Sequence, residues 1–255
     1  RFVVLTTTME EANIVKIDGR RLYYMFVAGA KKIIDNQAGL NSINVFPVND
    51  GDTGTNMAST VRSVIETLEP DRSYKNMMEL IAETSLVHAR GNSGIIFAQF
   101  LYGVSTETAS DHQISLDQFI ESIKKSVEYV YQAVADPVEG TMLTIIRIWA
   151  DFIDKNKAHF DDFGQLFTKS KQILEQALAE TINQLAVLEK ANVVDAGAKA
   201  FCYFIEGMID FVKFNNIREL IKTKTAVEVF EKHEEHLPAE VEFRYCTEAI
   251  IKNLK

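Results

Sequence analysis

The chain has 255 residues, 27 basic against 36 acidic side chains and a formal net charge of −9, which is room for one or two domains. Apolar residues at 47% and charged ones at 25% are ordinary globular usage and exclude a disordered chain, a collagen and a coiled-coil rod. The acidic balance argues against nucleic acid as a partner, because phosphate neutralisation needs a basic face; no apolar run reaches the ~18–20 residues of a membrane span, so no stable membrane insertion is expected.

In chain order, residues 1–16 read as an N-terminal extension. Met9 is a candidate natural start, with Arg1 to Thr8 set aside as upstream sequence. The 12 glycines and 4 prolines then cluster, and long helix-periodic stretches lie between the clusters. Helices are expected near 18–37, 54–69, 74–89, 92–107, 116–134, 141–155, 161–189 and 195–213. Met57, Val61, Val64, Ile65 and Leu68 form the apolar stripe of the second, and Pro70 closes it. Phe119, Ile120, Ile123, Val127 and Val130 do the same for the fifth, with Ser115 and Gln118 as a capping box. Phe167, Leu174, Leu178, Ile182 and Leu185 carry the stripe through the seventh. Almost nothing alternates, so the fold class is all-α over residues 17–213. Residues 214–240 read as a helix and linker. Val241, Phe243, Tyr245 and Thr247 alternate with polar partners and read as a strand opening a further domain over 241–255. Two cysteines, Cys202 and Cys246, are too few for a disulfide framework, which favours a cytoplasmic setting.

Four loops carry the candidate chemistry. The first is NVFPVNDGDTGTNM, Asn44 to Met57. Residues i and i+2 of a helix point apart, whereas in a turn they can face the same way, and Gly51 and Gly54 keep this stretch out of a helix. Asp50 and Asp52 converging on one point would repel unless a cation lay between them. Mg²⁺ is the natural occupant, a hard ion held by one or two carboxylates and by phosphates. Asn44 could add a carbonyl oxygen. The helix that follows would offer free N–H groups to phosphate. The competing reading is an Asp/Gly turn with Asp52 or Thr53 as helix N-cap. An EF-hand loop is excluded, since position 6 from Asp50 is Thr55 and position 12 is Val61; no Gly-Lys-Ser/Thr P-loop occurs.

The second loop is Arg90-Gly91-Asn92-Ser93-Gly94, with glycines for close approach, a hydroxyl and a cation. The third is Pro137 to Met142, including Gly140 and Thr141. The fourth is Asn192 to Ala198, with Asp195 as N-cap and Gly197 beside it. Every second connection is thus a polar helix start, and in an up-down bundle all four fall at one end. A mouth lined by helix N-termini suits a polyphosphate. His233 and His236 lack the spacing of a zinc protease and read as a solvated face; Cys202 and Trp149 read as core.

NVFPVNDGDTGTNM, ARGNSG, PVEGTM and VDAGA, in that order, resemble the DhaL family of nucleotide-binding domains. That family includes the ADP-binding subunit of dihydroxyacetone kinase and the N-terminal domain of bacterial fatty acid kinase, and the spelling is nearer the second. The resemblance implies an eight-helix antiparallel barrel with ATP or ADP and Mg²⁺ at one mouth. By motif match, Asp50 and Asp52 would be the catalytic metal ligands. Thr53, Gly54, Thr55 and Asn56, with Arg90, Gly91, Asn92, Ser93 and Gly94, would hold phosphates. Gly140, Thr141 and Met142 would line the nucleotide, and Asp195 and Gly197 would close the pocket. The dihydroxyacetone kinase pattern has a third Asp five residues before the Asp-Gly-Asp; that position is Val45 here, with Asn44 one residue further back as the candidate third ligand. The fatty acid kinase branch implies an ATP-dependent kinase making acyl phosphate for phospholipid synthesis from a fatty acid presented by a separate fatty-acid-binding partner protein, with any homodimer formed through further domains. The rivals are a dihydroxyacetone kinase subunit and a non-catalytic nucleotide-binding regulator.

Overall fold

The computed structural model describes residues 14–109 and 112–214. The segment 1–8, the linker beyond residue 214, His233, His236, Cys246 and the strand expected from Val241 lie outside the described residues. Within them the chain runs β1 (Lys16–Asp18), α1 (Gly19–Asp35), α2 (Gln37–Ser42), α3 (Thr53–Thr67), α4 (Tyr74–His88), α5 (Gly91–Glu107), β2 (Gln113–Ser115), α6 (Leu116–Gln132), α7 (Met142–Lys155), α8 (Phe163–Gln184), α9 (Ala186–Ala191) and α10 (Ala196–Phe214). No helix among the described residues is long and apolar enough to cross a membrane.

Eight long helices form an antiparallel barrel. Each buries the stripe that its spacing dictates: Met57, Val61, Val64 and Ile65 on α3, and Phe119, Ile120, Ile123 and Val130 on α6. Around the ring α5 packs on α6, α6 on α7, α7 on α8, α8 on α10, and α10 returns to α1; α3 and α4 fill the arc between α1 and α5. Aromatic rings meet edge to face across the interior. Phe97 lies 4.9 Å from Phe204, Phe201 lies 5.4 Å from Phe100, and Trp149 lies 5.8 Å from Phe201. Trp149 is fully buried and donates its indole N–H to Ser170 Oγ at 2.8 Å, so the core placement is satisfied at its one polar atom. Burial pushes the Cys202 thiol up to about 12, leaving it an inert small hydrophobe.

The α1–α10 contact closes the ring. A Cβ at Gly29 would come within 2.6 Å of the Phe204 carbonyl oxygen, and one at Gly207 would collide with the Ala28 carbonyl. The two backbones therefore approach more closely than side chains allow.

Three expectations are corrected. The helix expected over 161–189 stops at Gln184, because Leu185 is extended (φ −127°, ψ 121°), and a separate α9 ends at Asn192 in the left-handed region. The first helix ends at Asp35, and a short α2 follows it. A two-stranded antiparallel ribbon, β1 with β2, pairs Ile17 with Ile114. Being antiparallel, it sets the starts of α1 and α6 at its opposite ends: Asp18 caps α1 through Arg21 N–H, and Ser115 and Gln118 form the expected capping box.

Candidate nucleotide and metal site

The four motif loops each lead into a helix: α3, α5, α7 and α10. Side-chain contacts bring them together at one mouth of the barrel. A Cβ on Gly197 would stand 3.3 Å from Ser93 Oγ, from Met142 Cε and from Asp195 Oδ1, so the second, third and fourth loops meet there. Gly91 is left-handed (φ +61°), and a Cβ on it would collide with the Asn56 amide, which joins the second loop to α3. A second link follows, since the Arg90 N–H donates to Thr60 Oγ1 at 3.2 Å.

Asp50 and Asp52 are exposed and flank Gly51, itself left-handed at φ +67°. Neither needs its carboxylate to hold the loop: Asp52 is the N-cap residue of α3, yet its side chain makes no capping bond. Asn44 makes it instead. Its Oδ1 accepts from Asp52 N–H at 3.1 Å and Thr53 N–H at 2.8 Å, and its Nδ2 donates to the Phe46 and Val48 carbonyls at 3.3 and 3.2 Å. At 3% exposure both ends of this amide are committed. Asn44 is thus a loop organiser.

The phosphate expectation for α3 narrows in the same way. Asn41 Oδ1 accepts from Thr55 N–H at 3.0 Å, and the Thr55 hydroxyl accepts from Gln37 and Asn41 at 3.2 and 2.9 Å. Thr53 and Thr55 therefore have their amides engaged by the α2 region and by Asn44. By contrast α5 begins with Gly91, Asn92 and Ser93 and has no side-chain cap, so its N-terminal donors are available to an anion.

Asp195 is nine-tenths buried or more and binds the starts of two helices. Its carboxylate accepts from Ala198 N–H at 2.7 Å and also from the backbone amides of Gly197 and Met142. Burial pushes its carboxyl up to about 6, against those hydrogen bonds. Its own N–H donates to Thr181 Oγ1 at 3.1 Å. The expected N-cap thus also ties α7 to α10.

The third loop is held by a network the sequence did not disclose. Gly140 (φ +87°) donates its N–H to Thr144 Oγ1 at 2.8 Å. Glu139 accepts from Thr144 at 2.7 Å, from Arg147 Nη2 at 2.7 Å and from the Tyr131 hydroxyl at 2.6 Å. Burial opposes ionisation of Glu139, but the bonds from Tyr131, Arg147 and Thr144 prevail and hold its carboxyl below the usual range. Thr141 Oγ1 donates to the Val138 carbonyl at 2.8 Å, so Thr141, the N-cap residue of α7, makes no capping bond of its own and Asp195 takes the Met142 amide.

Among the described residues no group of three or more His, Cys, Asp or Glu side chains could hold a metal alone. Two exposed carboxylates flanking Gly51 fit a hard divalent ion that arrives with substrate phosphates.

The chain is similar to known proteins over most of its length. A Mycoplasma pneumoniae protein, the MG369 homolog, is 35% identical over 241 residues, covering 89% of this chain and 43% of that protein. A Staphylococcus epidermidis protein is 35% identical over 250 residues, covering 94% of this chain and 44% of the relative. The chain thus spans less than half the length of these curated relatives. In fold it is similar to the dihydroxyacetone kinase of C. freundii solved with AMP-PNP and Mg²⁺, with a TM-score of 0.58 at 15% identity over 82% of this chain and 37% of that one. The DAK2 domain model matches residues 47–210, which takes in Asp50, Asp52 and the other three loops, and the chain belongs to the DAK2 domain family.

Proposed function

We propose that this chain is the ATP-binding phosphoryl-transfer domain of a fatty acid kinase. The observation that carries the nucleotide part is the meeting of Ser93, Met142, Asp195 and Gly197 within van der Waals reach, with Asn56 against Gly91. Asp50 and Asp52 would hold Mg²⁺. When bound, that ion supplies neutralisation of the β- and γ-phosphate charge. The amides of Gly91, Asn92 and Ser93 bind phosphate oxygens at the uncapped start of α5, and the Ser93 hydroxyl adds a donor. Met142 and Gly140 line the base, on a loop fixed by Glu139.

The acceptor reading rests on the motif spelling and on the absence of need for a base. A fatty acid carboxylate is already ionised at pH 7, so its oxygen takes the γ-phosphoryl group, giving acyl phosphate and ADP, with no proton to remove. Catalysis is then positioning and charge neutralisation. A separate fatty-acid-binding protein would present the carboxylate. A dihydroxyacetone kinase subunit acts on a hydroxyl and would need a base or a partner supplying one.

The test has two stages. Calorimetric titration of AMP-PNP should show Mg²⁺-dependent binding that is lost when Asp50 and Asp52 are both changed to Asn. Unchanged affinity in magnesium would remove the site assignment. ATP turnover by the protein, with partner-borne fatty acid or with dihydroxyacetone, separates the acceptors. Turnover with dihydroxyacetone alone would overturn the fatty acid reading.

A further inference from the structure

Beside the nucleotide mouth, α3 and the end of α4 enclose an open groove of about 350 Å³. One wall is the outward face of α3, with Ser59, Arg62 and Ser63; the other is His88 with the Ala89–Arg90 backbone turn into α5. Arg62, Arg90 and His88 thus line one cavity on a chain whose net charge is −9. The ion pairs found among the described residues engage lysines and Arg147, and neither Arg62 nor Arg90 is in one. Glu66 is the one carboxylate on the wall.

His88 is oriented by its own helix. Its Nδ1 lies 2.9 Å from the Thr84 carbonyl, and a carbonyl only accepts, so Nδ1 carries a proton. Nε2 then accepts in the neutral ring and donates to an anion only in the imidazolium. The Ser59 hydroxyl is a donor there, the Ser63 hydroxyl already donates to the Thr60 carbonyl at 2.7 Å, and each arginine brings five N–H groups. Such a donor set matches the planar or tetrahedral oxygens of an anion, and an arginine fork does so bidentately. The groove also adjoins the phosphate loop covalently: Arg90 lines it and is the N-cap residue of α5, anchored through its N–H to Thr60.

We propose that this groove is an oxyanion subsite outside the nucleotide mouth, taking a carboxylate or phosphate group. Its use as the seat of an acceptor carboxylate rests on the kinase reading; its binding of an oxyanion does not.

The experiment is a titration of inorganic phosphate into the protein, first alone and then saturated with Mg·AMP-PNP, followed by octanoate against bound phosphate. The variants are Arg62→Gln, His88→Gln and the pair. Phosphate should bind in both states, and the pair should weaken it at least tenfold while AMP-PNP affinity stays within twofold, which also certifies folding. Displacement by octanoate assigns the groove to the acceptor carboxylate; phosphate binding that octanoate leaves intact assigns it to a phosphate group. No phosphate binding, equal binding by the variants, or loss of phosphate on adding AMP-PNP would each overturn the subsite. Failure of AMP-PNP to bind the parent would instead overturn the nucleotide reading, and the titration without nucleotide would still report on the groove.

Discussion

Asn44 shows how one amide can shape a loop without touching its chemistry. Four hydrogen bonds leave it, all to backbone. Asn44→Ala strands two N–H groups at the start of α3, so it should cost about 1–2 kcal/mol of stability, the usual scale for a lost helix cap. Asp52→Ala removes an exposed carboxylate with no capping bond and should stay within about 0.5 kcal/mol. Urea denaturation of the two variants measures both. Asp195 makes a second prediction, in pH. Its carboxyl rises from 3.8 to about 6 on folding, because burial disfavours the charge. A raised pKa means the folded state keeps its proton longer than the unfolded one. The stabilisation is therefore fully present below pH 3.8 and is lost as pH rises through about 6. The stability difference between the parent and Asp195→Asn should shift against the parent between pH 4 and pH 7; a difference that stays flat would show that the carboxyl titrates alike in both states. The residues of the site were legible as types and spacings. Their division of labour was not, because the capping partner of Thr53 sits nine residues upstream and that of Thr55 fourteen.

At the level of elements, the third loop is the clearest case of rigidity built from side chains. Tyr131 on α6 and Arg147 and Thr144 on α7 converge on Glu139, and Thr144 in turn receives the Gly140 N–H. Glu139→Ala should release that loop, weakening AMP-PNP about three- to tenfold, roughly 1 kcal/mol, on the scale of one net hydrogen bond. Glu139→Gln, which keeps one carbonyl oxygen, should fall between the two. Equal affinity for all three would show that the network does not bear on the nucleotide. The eight long helices were legible because a stripe repeated over four or more turns outweighs local noise. The ribbon was not, since three residues are too few for alternation to register, and β1 and β2 are each three residues long. The break at Leu185 was hidden for a different reason. Leu178, Ile182 and Leu185 keep the helical spacing, and only the extended backbone of Leu185 interrupts it.

For the whole molecule, the governing contact is the one that closes the ring. Gly207→Ala places a methyl against the Ala28 carbonyl and should destabilise the barrel by about 1–3 kcal/mol, the scale of overpacking. Gly39→Ala on α2 meets nothing within 4 Å and should be neutral or stabilising by about 0.5 kcal/mol. Thermal unfolding of the pair separates a packing effect from a general glycine effect. The same closure carries a consequence for how the protein comes into being. The first and last helices of the barrel are neighbours, so a growing chain on the ribosome holds α1 without its mate until α10 has emerged. That last helix also brings Asp195 and Gly197, which complete the mouth. Ring closure and site completion are therefore one event in synthesis, and an unfinished chain has no mouth in which to capture a nucleotide.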